Sequence, residues 1–211
     1  MELESEYQGP KRSVKRAVLL AHGAGADMNA ATLTTVADAL ADAKIASLRF
    51  NFPYKAAGRK SPDRPPVLLA AVRAAAADLA QRTKIPVEQL VMGGRSMGGR
   101  ICSMVAAEDG AAGLVLLGYP LHPPGKAENL RIEHFPKLKM PVLFVSGTRD
   151  AFGSPDELKK HARKIKGKVS WHWIETGDHG FKTLKSSGIS TDVALSGAAE
   201  AVVSFVTNLP A

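Results

Sequence analysis

The sequence contains a single cysteine, Cys102, so no disulfide can form within the chain. This usage is typical of proteins in a reducing compartment, and we expect a cytoplasmic location. No apolar run approaches the roughly 18 residues that a membrane-spanning helix needs, so we expect no membrane partner. The first residues, MELESEYQGPKRS, lack the apolar segment of a secretory signal, and we therefore expect none.

Aromatic residues are also scarce, at 6% of the chain, whereas the net charge is +8, which raises the question of a nucleic-acid partner. Much of the positive charge lies in residues 11–16 and 159–168, and the second run reads as a helix with a basic outer face. No aromatic residues interleave with these cations to stack on bases, so the sequence disfavours a nucleic-acid partner. It also lacks an HExxH motif and paired metal-ligand spacings, and we expect neither a metal nor an organic cofactor.

Short apolar runs alternate with longer segments of helical periodicity along the chain. The runs predict strands at 17–21, 45–50, 90–93, 114–117, 142–146 and 169–174. Helices are predicted at 30–43, at 97–108, at 193–206 and from Pro65 onward, where Leu69, Val72, Ala76 and Leu79 share a face. Strands without polar alternation are buried on both faces, and helical connections make them parallel. We therefore expect one α/β domain over residues 1–211, with a mostly parallel sheet of about six to seven strands and helices on both faces.

The segment Gly94-Arg95-Ser96-Met97-Gly98 fits the pattern G-x-S-x-G between a predicted strand and a predicted helix. This is the context of a nucleophile elbow, in which glycines make room for a strained turn that exposes the serine. The same pattern can also be a purely structural glycine turn. Its position after a strand favours Ser96 as a nucleophile.

A serine nucleophile needs a base and a group that orients the base. His179 follows the last predicted strand, and Asp150 follows the strand at 142–146. The resulting order of Ser96, Asp150 and His179 is that of the α/β-hydrolase fold. The other histidines and nearby carboxylates fit these roles less well by position, namely His22, His122, His134, His161, His172, Asp156 and Asp178.

Acyl transfer also needs donors for the oxyanion of the tetrahedral intermediate. We expect them to be the backbone N–H groups of Met97, after the nucleophile, and of Ala24, in the glycine-rich turn after the first predicted strand. Residues that follow strands are candidates for the substrate pocket: His22, Asn51, Tyr54, Arg95, Tyr119, His122 and Phe152. Arg95 would either favour an anionic substrate or form a structural salt bridge.

Five blocks of the sequence resemble the small dienelactone-hydrolase-like α/β-hydrolases, and the likeness covers nearly the whole chain. The blocks are HGAGADM at 22–28, RFNFPY at 49–54, GGRSMGGR at 93–100, GYPLHPPG at 118–125 and GTRDAFG at 147–153. The nearest branch includes the testis-expressed α/β-hydrolase-like protein and the hydrolase-like domain of a regulatory subunit of a histone acetyltransferase complex. The resemblance implies the α/β-hydrolase fold and the same triad positions. True dienelactone hydrolases have a cysteine nucleophile where this chain has Ser96, so the resemblance does not imply dienelactone hydrolase activity.

These observations predict a serine hydrolase of small ester or thioester substrates that works through an acyl-enzyme. The interval 118–140 is too short for a folded lid domain, which favours small or exposed acyl groups. The alternative is a non-catalytic interaction module of the same fold, as the acetyltransferase-complex relative suggests. The complete triad favours the enzyme, while an acyltransferase or perhydrolase would use the same residues. The sequence indicates no oligomeric state.

Overall fold

The computed structural model describes residues 2–210, and a single sheet lies at its centre. Within that range the strands are β1 (Ser5–Gln8), β2 (Ala17–Ala21), β3 (Ala46–Phe50), β4 (Val91–Arg95), β5 (Gly113–Leu117), β6 (Val142–Gly147) and β7 (Val169–Ile174). Their order across the sheet is β1-β3-β2-β4-β5-β6-β7. All neighbours pair in parallel except β1, which runs antiparallel to β3.

Helices cover both faces of this sheet. Over the described residues they are α1 (Ala31–Asp42), α2 (Pro53–Ala56), α3 (Pro65–Thr83), α4 (Met97–Asp109), α5 (Pro155–Ala162) and α6 (Thr191–Thr207). Helices α1 and α6 pack together on one face, and α3 and α4 pack together on the other. Every residue of β2 is buried, and its side chains alternate between the two cores: Val18 and Leu20 face α1 and α6, and Leu19 faces α3. The predicted fold class is confirmed.

One edge strand was missed and one predicted helix is shorter than expected. The edge strand β1 was not foreseen, because its sequence SEYQ is polar and its residues are largely half-buried. Helix α5 ends at Ala162, so residues 163–168 of the basic run lie outside it. In α3, the four residues predicted to share a face all contact the same core, with Leu69 only partly buried; Leu68 is buried there as well.

The carboxyl ends of the parallel strands meet at one edge of the sheet, where this architecture places its sites. Residues 118–141, between β5 and β6, form only a three-residue 3-10 turn, Phe135–Lys137, and carry no lid over this edge. Each helix within residues 2–210 is too short or too polar to cross a membrane.

Candidate active site

Ser96 lies on the sharp turn between β4 and α4. Its backbone angles are φ 50° and ψ −116°, a combination that side-chain-bearing residues rarely adopt and that costs free energy. A Cβ atom on Gly94 or on Gly98 would overlap the carbonyl oxygen of Ala21 in β2. Both glycines are therefore needed so that the turn can pack against the neighbouring strand. The Ser96 amide donates to the Leu117 carbonyl at 2.9 Å, which ties the turn to β5.

The structure brings Ser96, His179 and Asp150 together in a continuous chain of hydrogen bonds. His179 Nε2 lies 2.9 Å from Ser96 Oγ, and His179 Nδ1 lies 2.8 Å from Asp150 Oδ2. A carboxylate only accepts, so Nδ1 carries the proton and Nε2 is free to accept from the serine hydroxyl. The Asp150 side chain is fully buried, whereas that of His179 is 22% exposed. The acid is thus shielded while the base reaches the cleft.

Neighbouring groups hold the histidine and its carboxylate in place. The Phe152 ring stacks on the His179 imidazole with 4.0 Å between ring centroids, and the Phe152 amide donates to Asp150 Oδ1 at 2.8 Å. Asp178 Oδ1 accepts from the amides of Gly180 and Lys182 at 2.8 and 2.9 Å. Asp178 therefore closes the loop that carries His179 and makes no hydrogen bond to the imidazole itself.

The two expected oxyanion donors both line the cleft in front of Ser96. No hydrogen bond between residues 2–210 uses the amide of Ala24 or of Met97, so both donors are available. Met97 is the first residue of α4, where backbone N–H groups have no partner within the helix and the helix dipole favours negative charge. The arrangement can therefore stabilise an oxyanion next to Ser96.

His22, Asn51 and Tyr54 do not line the cleft, contrary to the prediction. All three are buried, because the chain after β2 and after β3 turns their side chains behind the loop at 22–28. The Tyr54 hydroxyl donates to the Ala24 carbonyl at 2.8 Å, and Asn51 Oδ1 accepts from the Met28 amide at 2.9 Å. Burial raises the pKa of Tyr54 to about 12, so this hydroxyl stays a donor. These side chains fix the loop that carries one of the expected oxyanion donors.

His22 has both of its ring nitrogens engaged. Nδ1 donates to the Gly23 carbonyl at 2.8 Å, and Nε2 accepts from the Phe52 amide at 3.1 Å. This pattern requires the neutral ring with its proton on Nδ1. Burial lowers the pKa of His22, which agrees with the neutral form.

Tyr119 and His122 also lie away from the cleft lining. Tyr119 is 1% exposed and its hydroxyl donates to the Arg131 carbonyl, because the chain after β5 turns this ring into the core. His122 is buried, with Nε2 3.3 Å from a carboxylate oxygen of Glu157 at the start of α5. Both predictions that they line the pocket were wrong.

Arg95 and Phe152 do line the cleft, as predicted. Within residues 2–210 Arg95 forms no salt bridge; it donates to the Leu117 carbonyl at 3.1 Å, and its guanidinium lies 4.8 Å from the centre of the Phe181 ring. Burial lowers the pKa of Arg95 to about 10. Its charge is thus held by a carbonyl and an aromatic face. The structural salt bridge that the sequence allowed does not form within residues 2–210, and the other expected role, favouring an anionic substrate, stays a prediction.

The cleft has a volume of about 620 Å³ and contains residues that the sequence did not single out. Arg100 follows Ser96 by four residues, about one turn of α4, so helical spacing could have placed it beside the serine. Arg131 and Thr32 come from a loop and from α1, and no spacing connects them with Ser96. No group of three or more potential metal ligands occurs within residues 2–210.

Comparison with known proteins identifies the family. The sequence model described as "Alpha/beta hydrolase domain" matches residues 14–207. The chain belongs to this α/β-hydrolase family. The resemblance found in the sequence is thereby confirmed at the level of the family.

Solved structures of α/β-hydrolases share the fold over nearly their whole length. Est1E from Butyrivibrio proteoclasticus, bound to ferulic acid, superposes with a TM-score of 0.76 at 18% identity and covers 98% of this chain and 95% of that one. A dienelactone hydrolase from Anabaena variabilis has the same TM-score and identity, with 100% and 94% coverage. A serine hydrolase without a lid from Xanthomonas campestris has a TM-score of 0.71 at 17% identity, with 99% and 91% coverage. At these identities the likeness establishes the fold.

Proposed function

We propose that this chain is a serine hydrolase that cleaves small esters or thioesters. The observation that carries the proposal is the hydrogen-bonded chain from Ser96 through His179 to Asp150 at the cleft. Each of the three side chains follows a different strand of the sheet, so their convergence needs the whole fold. A strained, costly turn at Ser96 agrees with a catalytic role, because strain of this kind persists where function requires it.

The reaction follows from the positions of the donors and acceptors. His179 Nε2 takes the Ser96 proton while Oγ attacks the carbonyl carbon, and the Ala24 and Met97 amides hold the resulting oxyanion. Collapse of the intermediate breaks the bond to the alcohol or thiol, which takes the proton from His179. Water then attacks the acyl-enzyme with His179 as base, releasing the acid and restoring Ser96. Asp150 keeps the imidazole in the required tautomer throughout.

The open cleft limits the substrate. Its volume of about 620 Å³ and the absence of a lid in residues 118–141 suit a short or exposed acyl group better than a long lipid chain. The structurally similar proteins include a dienelactone hydrolase and the esterase domain of a Rhodothermus marinus protein, which supports ester chemistry for this chain.

The test compares hydrolysis of short-chain p-nitrophenyl esters by the wild type with that by Ser96→Ala, His179→Ala and Asp150→Asn. We expect kcat to fall by about 10³-fold or more for the first two variants, and strongly for the third. Ser61→Ala is the matched control, since Ser61 is exposed and lies outside the cleft. Undiminished hydrolysis by Ser96→Ala would end the proposal. A folded wild type that hydrolyses no ester would instead favour the non-catalytic interaction module.

A further inference from the structure

Two arginines, Arg100 and Arg131, line the cleft beside Ser96 without an anionic partner. Within residues 2–210, neither guanidinium lies within 4.0 Å of a carboxylate, and neither donates a hydrogen bond. The Nε atom of Arg100 is buried and has no acceptor. The buried Arg49, by contrast, lies 2.9 Å from a carboxylate oxygen of Glu6.

An unpaired cation in a protein cleft is costly, and its free energy improves when an anion binds. The two arginines lie close enough for their charges to interact: burial, together with the charge of Arg100, lowers the pKa of Arg131. The lining of the cleft contains no aspartate or glutamate that could neutralise them. Asp150, the acid nearest to the reacting groups, is already committed to His179.

We propose that Arg100 and Arg131 form a subsite for a carboxylate group on the ester substrate. This inference rests on the proposed hydrolase function and narrows its substrate class. A guanidinium presents a planar fork of donors that matches a carboxylate in two parallel hydrogen bonds. The subsite lies in the same cleft as Ser96, so one small molecule can occupy both. Arg95 takes no part, because its guanidinium is held by the Leu117 carbonyl and the Phe181 ring.

The test uses two pairs of esters, each pair a free carboxylate and its uncharged methyl ester. Mono(4-nitrophenyl) glutarate and its methyl ester place the charge on the acyl side, whereas 4-acetoxybenzoate and its methyl ester place it on the leaving group. The measured quantity is the ratio of kcat/KM between the charged and the neutral member of each pair. We expect Arg131→Gln and Arg100→Gln to lower this ratio for one pair by about tenfold or more, and the pair that responds reveals the side of the subsite.

Arg163→Gln is the matched control, because it removes the same charge from an exposed position at the end of α5. Its ratio should equal that of the wild type, which separates local recognition from the overall field of the protein. Arg131→Lys keeps the charge but not the fork and should give an intermediate ratio. If Arg100→Gln does not fold, Arg131→Gln still decides, since the Arg131 guanidinium makes no internal hydrogen bond. An unchanged ratio in folded Arg131→Gln would overturn the subsite.

A binding measurement separates failure of the subsite from failure of the proposed function. Glutarate is titrated calorimetrically into Ser96→Ala and into Ser96→Ala/Arg131→Gln. Binding to the first protein and its loss in the second would support the subsite even if the wild type hydrolyses no ester. Absence of glutarate binding to folded Ser96→Ala, together with equal ratios in wild type and Arg131→Gln, would overturn it while leaving the hydrolase function intact.

Discussion

Replacing Tyr54 by phenylalanine removes the hydroxyl that donates to the Ala24 carbonyl. The ring of Tyr54 is fully buried, and its hydroxyl donates to Ala24 at 2.8 Å. The same residue, Ala24, lines the cleft, and its amide is an expected oxyanion donor. The substitution keeps the aromatic ring and its packing, so it loosens the loop without opening a large cavity.

The expected effects on stability and on kcat follow from the loss of one hydrogen bond. Its loss costs about 1 kcal/mol of folding free energy, which for a chain of this size lowers Tm by about 2–4 °C. If the same free energy is lost in the transition state, kcat falls by about fivefold. Complete removal of an oxyanion donor costs about 10²-fold or more, so a fivefold loss would indicate displacement of the donor.

Tyr7→Phe provides the matched control. The Tyr7 hydroxyl also donates to a backbone carbonyl, that of Pro10, but Tyr7 lies on the edge strand β1 away from the cleft. Thermal unfolding and steady-state hydrolysis of p-nitrophenyl acetate are measured for both variants. We expect similar losses of Tm and a loss of kcat only for Tyr54→Phe. Equal kcat in the two variants would refute the positioning role of Tyr54.

Three further outcomes are expected. Gly98→Ala should lower the free energy of unfolding, measured in urea, by about 3 kcal/mol or more, because its Cβ would overlap two backbone carbonyls. Gly25→Ala should change it little, because its Cβ meets nothing within 4 Å. Burial and a neighbouring arginine lower the pKa of His134 to about 4, so the unfolded chain takes up the proton at a higher pH than the folded chain. The contribution of neutral His134 to the free energy of unfolding is therefore complete above about pH 6.5 and is lost as the pH falls toward 4. His134→Gln should flatten this pH dependence when the free energy of unfolding is measured in urea titrations. Phe152→Ala removes the ring stacked on His179 and should lower kcat by about tenfold; an unchanged kcat would show that the histidine needs no such support.

Much of the fold is predictable because its parallel strands are buried on both faces. In β5 and β6 this burial selects unbroken runs of valine, leucine and phenylalanine, which the sequence displays directly. Strand β1 carries no such signal, since an edge strand with partly exposed residues can be polar. Its place beside β3 depends on tertiary pairing, such as the salt bridge between Glu6 and Arg49.

The candidate triad is predictable for a related reason. Each of its side chains comes within five residues of the end of a strand, and parallel strands bring their carboxyl ends to one edge. The pocket is less predictable, because the backbone bends after the strand and decides whether a side chain points into the cleft or behind it. Tyr54 and Tyr119 both follow strands closely, yet both turn inward. The expected cytoplasmic location and the single domain over residues 1–211 stay predictions.

The most direct test of the proposed activity is covalent labelling of the purified protein with a fluorophosphonate probe, followed by mass spectrometry of the modified peptide. An activated serine reacts with such probes, whereas an ordinary hydroxyl does not. We predict a single adduct on Ser96 that is absent from Ser96→Ala and nearly absent from His179→Ala. A folded wild type that stays unlabelled, or that is labelled equally well in His179→Ala, would contradict the proposal that Ser96 is a nucleophile activated by His179.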